Sequence, residues 1–340
     1  MKPIVEAILN DKKKTIPEDA TEIFINTSKM MKILRDKMIV DAAIRRVDKE
    51  AGLVLKSVLD LVSLQPGADA GVSPMVSYNE LQRHVSQHVG SDNLACVHLD
   101  QYLRTLASDK TRFVDRVGDT GGGQYQVDMR HVVTCLVEAT CEAIIQERFS
   151  SKAARVFRYV RTKKYVEEND FHGNAMIPSK EAKTITYELL ENSYIQLQEL
   201  RKTISASAPS KSVYLYYVDM GGLARTQLTR VYQALINIVT RRQIETQDNA
   251  RLLEKQERIE AITASLRAEG GTEEQLKEVS KMMAPPEHEA VTKVHKNINH
   301  LMSDALLQAS DTMMLLRLYL DLKIKYVNLF KIIAFHCISL

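Results

Sequence analysis

Two histidines are the first residues whose spacing suggests metal chemistry. His84 and His88 stand four apart on a predicted helix, which places both side chains on one face. A helical zinc-protease motif needs a glutamate directly after the first histidine, and Val85 occupies that position. We therefore interpret the pair as surface histidines, and the sequence predicts no metal site.

A glycine-rich loop and four cysteines also fall short of a catalytic pattern. A phosphate-binding loop needs Gly-Lys-Ser/Thr leading into a helix, whereas the loop Gly118–Gly123 leads into a predicted strand. The cysteines lack Cys-x-x-Cys spacing, which favours reduced, buried thiols; they are Cys96, Cys135, Cys141 and Cys337. No Ser-His-Asp or Cys-His set stands out. The sequence predicts no catalytic residue, no cofactor and no small-molecule substrate.

One basic cluster does suggest a binding chemistry. It consists of Arg148, Lys152, Arg155, Arg158, Arg161, Lys163 and Lys164. On a helical wheel these bases lie opposite an apolar side formed by Phe149, Ala153, Val156, Phe157 and Val160. A basic amphipathic helix could track a phosphate backbone, and we predict these seven residues as nucleic-acid contacts. A solvated face, or contact with an acidic protein surface, remains an open alternative, because the net charge of the chain is only +3.

The elements around this helix begin with a predicted winged helix over residues 26–148. Helical periodicity covers Lys29–Val47 and Leu53–Val62. Further predicted elements are a helix opened by the capping box Ser77–Glu80, a helix over Asn93–Ser108, strands Phe113–Val117 and Gln124–Asp128 around a flexible Gly118–Gly123 loop, and a helix over Met129–Arg148. Helices followed by a β-hairpin give the order of a winged helix.

Residues 149–219 repeat the pattern and are predicted to form a second winged helix. Its elements are a helix over Phe149–Val166, a helix over Ser179–Leu190 with Ser179 as its N-cap, strands Ile195–Gln198 and Val213–Val218, and a polar wing tip over Arg201–Ser212. Neither presumed recognition helix is densely basic, since Asp100, Asp109, Glu181 and Glu188 accompany Arg104, Lys180 and Lys183. This mixture favours protein docking, or loose contact with melted DNA.

Residues 220–325 are predicted to form a long antiparallel coiled-coil hairpin. Its apolar stripe is interrupted around Arg241–Asn249, and Gly270 with Gly271 turns the chain. A capping box at Thr272–Gln275 opens the return helix, which Pro285 and Pro286 kink or restart. Such a hairpin exceeds what two small domains need for stability, so we expect it to present a surface to a partner.

The two ends are predicted to lie outside these domains. Residues 1–25 have the composition of a linker, with no signal peptide, and residues 326–340 form an atypical apolar tail. Lys331 and His336 interrupt the tail, which is shorter than the roughly 20 apolar residues of a spanning helix, so we expect no membrane anchor. The predicted fold class is mainly α with small β wings: tandem winged-helix domains followed by a long antiparallel coiled-coil hairpin.

Several blocks in one order resemble a known family. They are DQYLRTLASD before GDTGGGQY, RFSSKAARVFRYVRTKKYVEE, AMIPSKEAK, VYLYYVD and RRQIETQDNARLLEKQERIEAI. From about Thr21 to about Leu316 the chain is similar to the TFIIE-alpha-like winged-helix subunit of RNA polymerase III. That subunit is the largest member of the enzyme's three-subunit initiation subcomplex.

The resemblance implies a nuclear, non-catalytic subunit that sits on the polymerase clamp. It implies docking of the initiation subcomplex, help in promoter recruitment and help in DNA opening. The implied partners are the two other subcomplex members, the largest polymerase subunit, and DNA that is single-stranded or bound without sequence preference. Family members carry four winged helices, and this chain matches the last two with the coiled coil.

Two other classes compete with this interpretation. A scaffold of PCI type would show helical repeats before a single winged helix, and two predicted wing hairpins oppose it. A stand-alone dimeric DNA-binding regulator would need a basic recognition helix and a self-complementary coiled coil. The mixed-charge helices and the turn at Gly270 and Gly271 oppose that class.

Overall fold

The computed structural model consists of helices and two small antiparallel sheets, which confirms the predicted fold class. It describes residues 26–65, 71–88, 90, 93–167, 170–202, 211–270, 272–280 and 282–338. The predicted linker 1–25 lies outside these residues. Helix α1 spans Thr27–Arg46 and precedes the first winged unit, where its C-terminal half adds Ile39, Ala42 and Ala43 to a buried core.

The first winged unit follows α1. Its elements are α2 (Lys49–Leu64), β1 (Val76–Ser77), α3 (Tyr78–His88), α4 (Leu94–Val97), α5 (Leu99–Ser108), β2 (Asp115–Gly118) and β3 (Gln124–Gln126). The sheet has the order β1-β3-β2, with Val76 opposite Tyr125 and Asp115 opposite Gln126. Ser77 Oγ accepts a hydrogen bond from the Glu80 amide at 3.3 Å, as the capping pattern predicts.

Three details of this unit differ from the prediction. The helix expected over Asn93–Ser108 is divided at His98, whose backbone leaves the helical region (φ −110°, ψ 28°). Phe113 and Val114 are both fully buried, so strand alternation starts only at Asp115. The Gly118–Gly123 loop contains a 3₁₀ turn over Thr120–Gly122. The Gly123 carbonyl accepts a hydrogen bond from the Tyr78 amide at 3.0 Å, so this wing is tied to α3.

Helix α6 spans Met129–Arg148, as predicted, and joins the two winged units. Asp128 caps it by accepting hydrogen bonds from the amides of Arg130 and His131 at 3.0 and 3.2 Å. Met129 and Val132 belong to the core of the first unit. The side chains that α6 adds to the second core are Val133, Val137, Cys141 and Ile145.

The second winged unit has the same strand order as the first, with one helix fewer between its first two strands. Its elements are α7 (Ser151–Lys163), β4 (Val166–Glu167), α8 (Asp170–Asn174), α9 (Ser179–Glu191), β5 (Gln196–Lys202) and β6 (Lys211–Tyr217), with the sheet order β4-β6-β5. The β5–β6 pairing runs from Gln196 opposite Tyr217 to Lys202 opposite Lys211. Both ends of the predicted Arg201–Ser212 wing tip therefore lie in strands, and residues 203–210 lie outside the described part.

The prediction that Ser179 caps α9 is wrong. Ser179 is the first helical residue, and the preceding Pro178 occupies the cap position without a side-chain hydrogen bond. The Pro178 carbonyl accepts from the Ala182 amide at 2.9 Å, which starts the helical ladder. Proline cannot act through a side-chain oxygen, so this helix begins without the usual side-chain cap.

The remaining helices form the two arms of an antiparallel hairpin. They are α10 (Met220–Asp248), α11 (Ala250–Ala268), α12 (Glu273–Ser280), α13 (Pro285–Asn299), a π-helix (His300–Leu306) and α14 (Leu307–Ile338). Helix α10 packs against α14 and the π-helix, and α11 packs against α12 and α13. The outgoing arm breaks at Asn249, within the predicted interruption, and Pro285 restarts the return arm. The backbone of the predicted apolar tail is helical to Ile338, and its side chains lie outside the description.

A polar contact fixes the second winged unit to the root of the hairpin. Arg230 on α10 donates to the Asn192 carbonyl at 2.9 Å, and its guanidinium lies 5.4 Å from the centre of the Tyr194 ring. The Tyr194 hydroxyl donates to Gln227 Oε1 at 3.4 Å. Leu223 and Leu228 of α10 join the core of the winged unit beside these contacts. The root of the hairpin and the winged unit therefore share one core.

Candidate nucleic-acid interface

Helix α7 is amphipathic, as predicted, and opens the second winged unit. Ser150 is its N-cap and accepts a hydrogen bond from the Ala153 amide at 3.2 Å. Its buried side is formed by Ala153, Ala154, Val156, Phe157 and Val160. This packing turns the basic residues of the helix away from the core.

Three of the seven predicted cations are paired with carboxylates on other helices. Arg161 Nη1 lies 2.6 Å from Glu138 Oε2, and Arg158 Nε lies 2.7 Å from Glu142 Oε1. Lys152 Nζ lies 2.5 Å from Glu181 Oε1 on α9. The hydrogen bond to Glu142 raises the pKa of the Arg158 guanidinium, which keeps it charged. These pairs hold α7 against α6 and α9 and neutralise part of the basic face.

The sequence of α7 alone does not indicate these pairs, because their acids lie on α6 and α9. A signal was present on α6. Glu138 and Glu142 stand four apart, so they share one face of that helix. Arg158 and Arg161 stand three apart on α7 and also share a face. Two matched pairs on consecutive antiparallel helices are typical of interhelical ion pairing.

The other four cations stay exposed. Arg148 donates to Asn192 Oδ1 at 3.1 Å, and its guanidinium lies 5.5 Å from the centre of the Phe149 ring. Arg155, Lys163 and Lys164 are exposed, and no described carboxylate forms an ion pair with them. Lys164 follows the end of α7 in the left-handed region (φ 70°). The free positive charge therefore lies along the solvent side of α7 and at its C-terminal end.

The presumed recognition helices present a different balance of charge. On α5, Arg104 pairs with Asp100 at 2.7 Å. Asp109, just after α5, pairs with Arg46 at 2.8 Å. On α9, Lys180, Lys183 and Tyr187 are exposed, while Glu181 forms an ion pair with Lys152. The cation of α5 is therefore paired, whereas Arg155, Lys163 and Lys164 of the second unit have no ion-pair partner among the described residues.

The His84–His88 pair and the cysteines of α6 have pKa values that are shifted by their surroundings. The rings of His84 and His88 stack with centroids 4.1 Å apart, and desolvation together with the neighbouring His88 lowers the pKa of His84. Burial raises the pKa of the Cys141 thiol to about 12 and also raises that of Cys135, so neither is poised as a nucleophile.

Within the described ranges, no group of three or more His, Cys, Asp or Glu side chains could hold a metal. Among the same residues, no helix combines the length and apolar character needed to cross a bilayer.

Three family models match the chain in succession. The model described as RNA polymerase III subunit RPC82 matches residues 6–136. The model described as POLR3C, C-terminal winged-helix domain, matches residues 141–218. The model described as DNA-directed RNA polymerase III subunit RPC3, helical hairpin domain, matches residues 251–315. Together they follow the order of winged units and hairpin in the structure.

Individual relatives carry the same description. The protein named DNA-directed RNA polymerase III subunit RPC3 from Homo sapiens is 38% identical over 315 residues, which are 93% of this chain and 58% of that protein. Its namesake from Bos taurus is 39% identical over 316 residues, with the same shares. A more distant namesake from Dictyostelium discoideum is 22% identical over 254 residues, 72% of this chain and 38% of that protein. The chain thus spans less than two thirds of the length of these relatives.

We expect the Arg161–Glu138 pair to be energetically coupled more strongly than an exposed pair. Only 13% of the Arg161 side chain and 25% of the Glu138 side chain are exposed. A double-mutant cycle with Arg161→Met and Glu138→Gln, read by urea unfolding, should give a coupling of about 1 kcal/mol or more. The Arg104–Asp100 pair, 73% and 45% exposed, is the control and should give less than about 0.5 kcal/mol. Equal coupling in the two cycles would contradict the conclusion that the Arg161–Glu138 pair holds α7 against α6.

Proposed function

The chain belongs to the RPC3 family of RNA polymerase III subunits, and from this premise we propose that it acts as a non-catalytic subunit in transcription initiation in the nucleus. The observation that carries the proposal is the succession of three family models over two winged units and a hairpin. A PCI-type scaffold would have a single winged unit, whereas the described residues of this chain include two three-stranded sheets, each preceded by helices. Polymerisation belongs, in this proposal, to other chains of the enzyme.

The hairpin is the proposed docking element for other polymerase subunits. All of α11 is described, and none of its side chains is buried. Exposed apolar side chains occur on both arms, including Ile236, Met282 and Leu307. A hairpin that leaves this much apolar surface uncovered is suited to packing against a partner. We propose the two other members of the initiation subcomplex and the largest polymerase subunit as its partners.

The solvent side of α7 is the proposed contact with DNA. Arg155, Lys163 and Lys164 are exposed without ion-pair partners among the described residues, so each is free to neutralise a phosphate. On the presumed recognition helix α5, Arg104 pairs with Asp100, so this helix offers no free cation to base edges, and we propose contact with the backbone. We propose that this surface binds single-stranded DNA without sequence preference and so assists promoter recruitment and opening.

The assembly proposal is tested by purifying the tagged chain from nuclear extract and identifying the proteins recovered with it. We expect RNA polymerase III subunits. A matched sample carrying Ile236→Asp and Leu307→Asp on the hairpin should recover fewer of them, because a buried unpaired charge opposes docking. Recovery of a different stable complex by a soluble, folded chain would contradict the proposal.

The DNA proposal predicts a specific change in salt dependence. The variant Arg155→Gln/Lys163→Gln/Lys164→Gln should reduce the slope of log affinity against log salt by about 2 for a fluorescent oligothymidylate, since each phosphate contact contributes roughly 0.7 for single strands. The control Arg251→Gln/Arg258→Gln/Arg267→Gln removes the same charge from α11 and should leave the slope nearly unchanged. In a third variant, Glu142→Gln frees Arg158 and should tighten binding. Equal slopes for the first two variants would contradict a local contact.

A further inference from the structure

An exposed aromatic residue lies directly at the end of the free basic surface. Tyr165 follows Lys163 and Lys164, and 56% of its surface is exposed. Its ring centroid lies 5.7 Å from that of Tyr217 on β6, at an interplanar angle of 37°. The Tyr217 hydroxyl donates to Gln196 Oε1 at 2.6 Å, which fixes the underlying ring. Tyr165 therefore contacts the Tyr217 ring and keeps more than half of its surface exposed to solvent.

The strand register shows that this aromatic pair belongs to the outer face of the second sheet. Tyr216 and Val166 pair with each other and face the core, where Tyr216 packs 5.7 Å from the Phe171 ring. Because side chains alternate along a strand, Tyr217 and Leu215 point to the opposite face. The cross-strand pairs extend this face through Val213 and Leu200, and Leu200 is 45% exposed. This outer face is therefore mixed, because Glu167, Gln196 and Gln198 lie beside Tyr217, Leu215 and Leu200.

We propose that Tyr165 is a stacking platform for an unpaired base of single-stranded nucleic acid. This site rests on the proposed DNA contact of α7 and adds Tyr165 to the residues that make it. Aromatic rings stack on any base, and binding surfaces for single strands combine such rings with a positive groove along the backbone. Arg155 lies eight residues before Lys163 on α7, a rise of roughly 12 Å along the helix axis, and Tyr165 follows Lys163 by two residues. Charge and aromatic surface are therefore arranged for one strand.

Glu167, on the same face, restricts the path that a bound nucleic-acid strand can take across the surface. Glu167 pairs with Leu215 across the sheet, is exposed, and points to the same side as Tyr217. Its charge repels phosphates from the middle of the sheet. A strand stacked on Tyr165 should therefore run back along Arg155, Lys163 and Lys164. Removing this repulsion with Glu167→Gln should tighten binding.

The absence of tryptophan from the sequence makes the test direct. In the 340-residue chain carrying Tyr165→Trp, titration with a 15-nucleotide oligothymidylate should quench the fluorescence of the single tryptophan, because a stacked base contacts its ring. Tyr232→Trp, at an exposed tyrosine on α10, is the control and should not be quenched. Tyr165→Ala should lower the affinity about ten-fold, Tyr165→Phe should retain it, and neither should change the salt slope. Unchanged unfolding midpoints show that both variants fold.

Each other outcome has a distinct meaning. Oligothymidylate affinity that is equal in wild type and Tyr165→Ala, with no quenching of Tyr165→Trp, overturns the platform and leaves the DNA contact of α7 standing. Failure of the wild-type chain to bind the oligonucleotide in a salt-dependent way overturns the DNA contact itself. If Tyr165→Ala binds the oligonucleotide normally but recovers fewer polymerase subunits, the face is a protein interface and the platform is wrong.

Discussion

Helix α6 contributes buried side chains to the cores of both winged units, and the arrangement of the other elements depends on this shared helix. Its first turns carry Met129 and Val132 into the first winged unit, and its later turns carry Val137, Cys141 and Ile145 into the second. Leu136 packs against both cores. Because one rigid helix belongs to both units, their relative position is fixed along its length. Helix α14 packs on α6 as well, so the root of the hairpin is tied to the same support.

The same helix also determines which charges remain free to bind a partner. Glu138 and Glu142 project from α6 toward α7 and pair with Arg161 and Arg158. These arginines stabilise the packing of two helices and are no longer free to neutralise phosphates. The positive charge that has no carboxylate partner among the described residues therefore lies at Arg155 and at the C-terminal end of α7. There it adjoins Tyr165, so the packing of α6 connects the core of the molecule to its proposed nucleic-acid surface.

Local patterns in the sequence were sufficient for most helices but not for the contacts between elements. Periodicity and capping predicted α6 over its observed bounds and both wing hairpins. Strands β1 and β4 have two residues each and exist only through pairing with a distant hairpin, so no local alternation marks them. The five-residue α8 is too short for a periodic signal. The π-helix at His300–Leu306 and the division at His98 were not predicted from the sequence either. The seven candidate cations follow from the sequence around α7, whereas the carboxylates that pair with Lys152, Arg158 and Arg161 are evident only once α6 and α9 lie beside it.

The claim that α6 unites both winged units is tested most directly by native-state hydrogen exchange of its amides. We expect amides in both halves of α6 to exchange at the same slow rate, through a common opening. We also expect Ile145→Ala, which leaves a cavity in the second core, to accelerate exchange near Val132 as much as near Cys141. Acceleration confined to the second half, with the first half unchanged, would show that the two units open independently and would contradict the account.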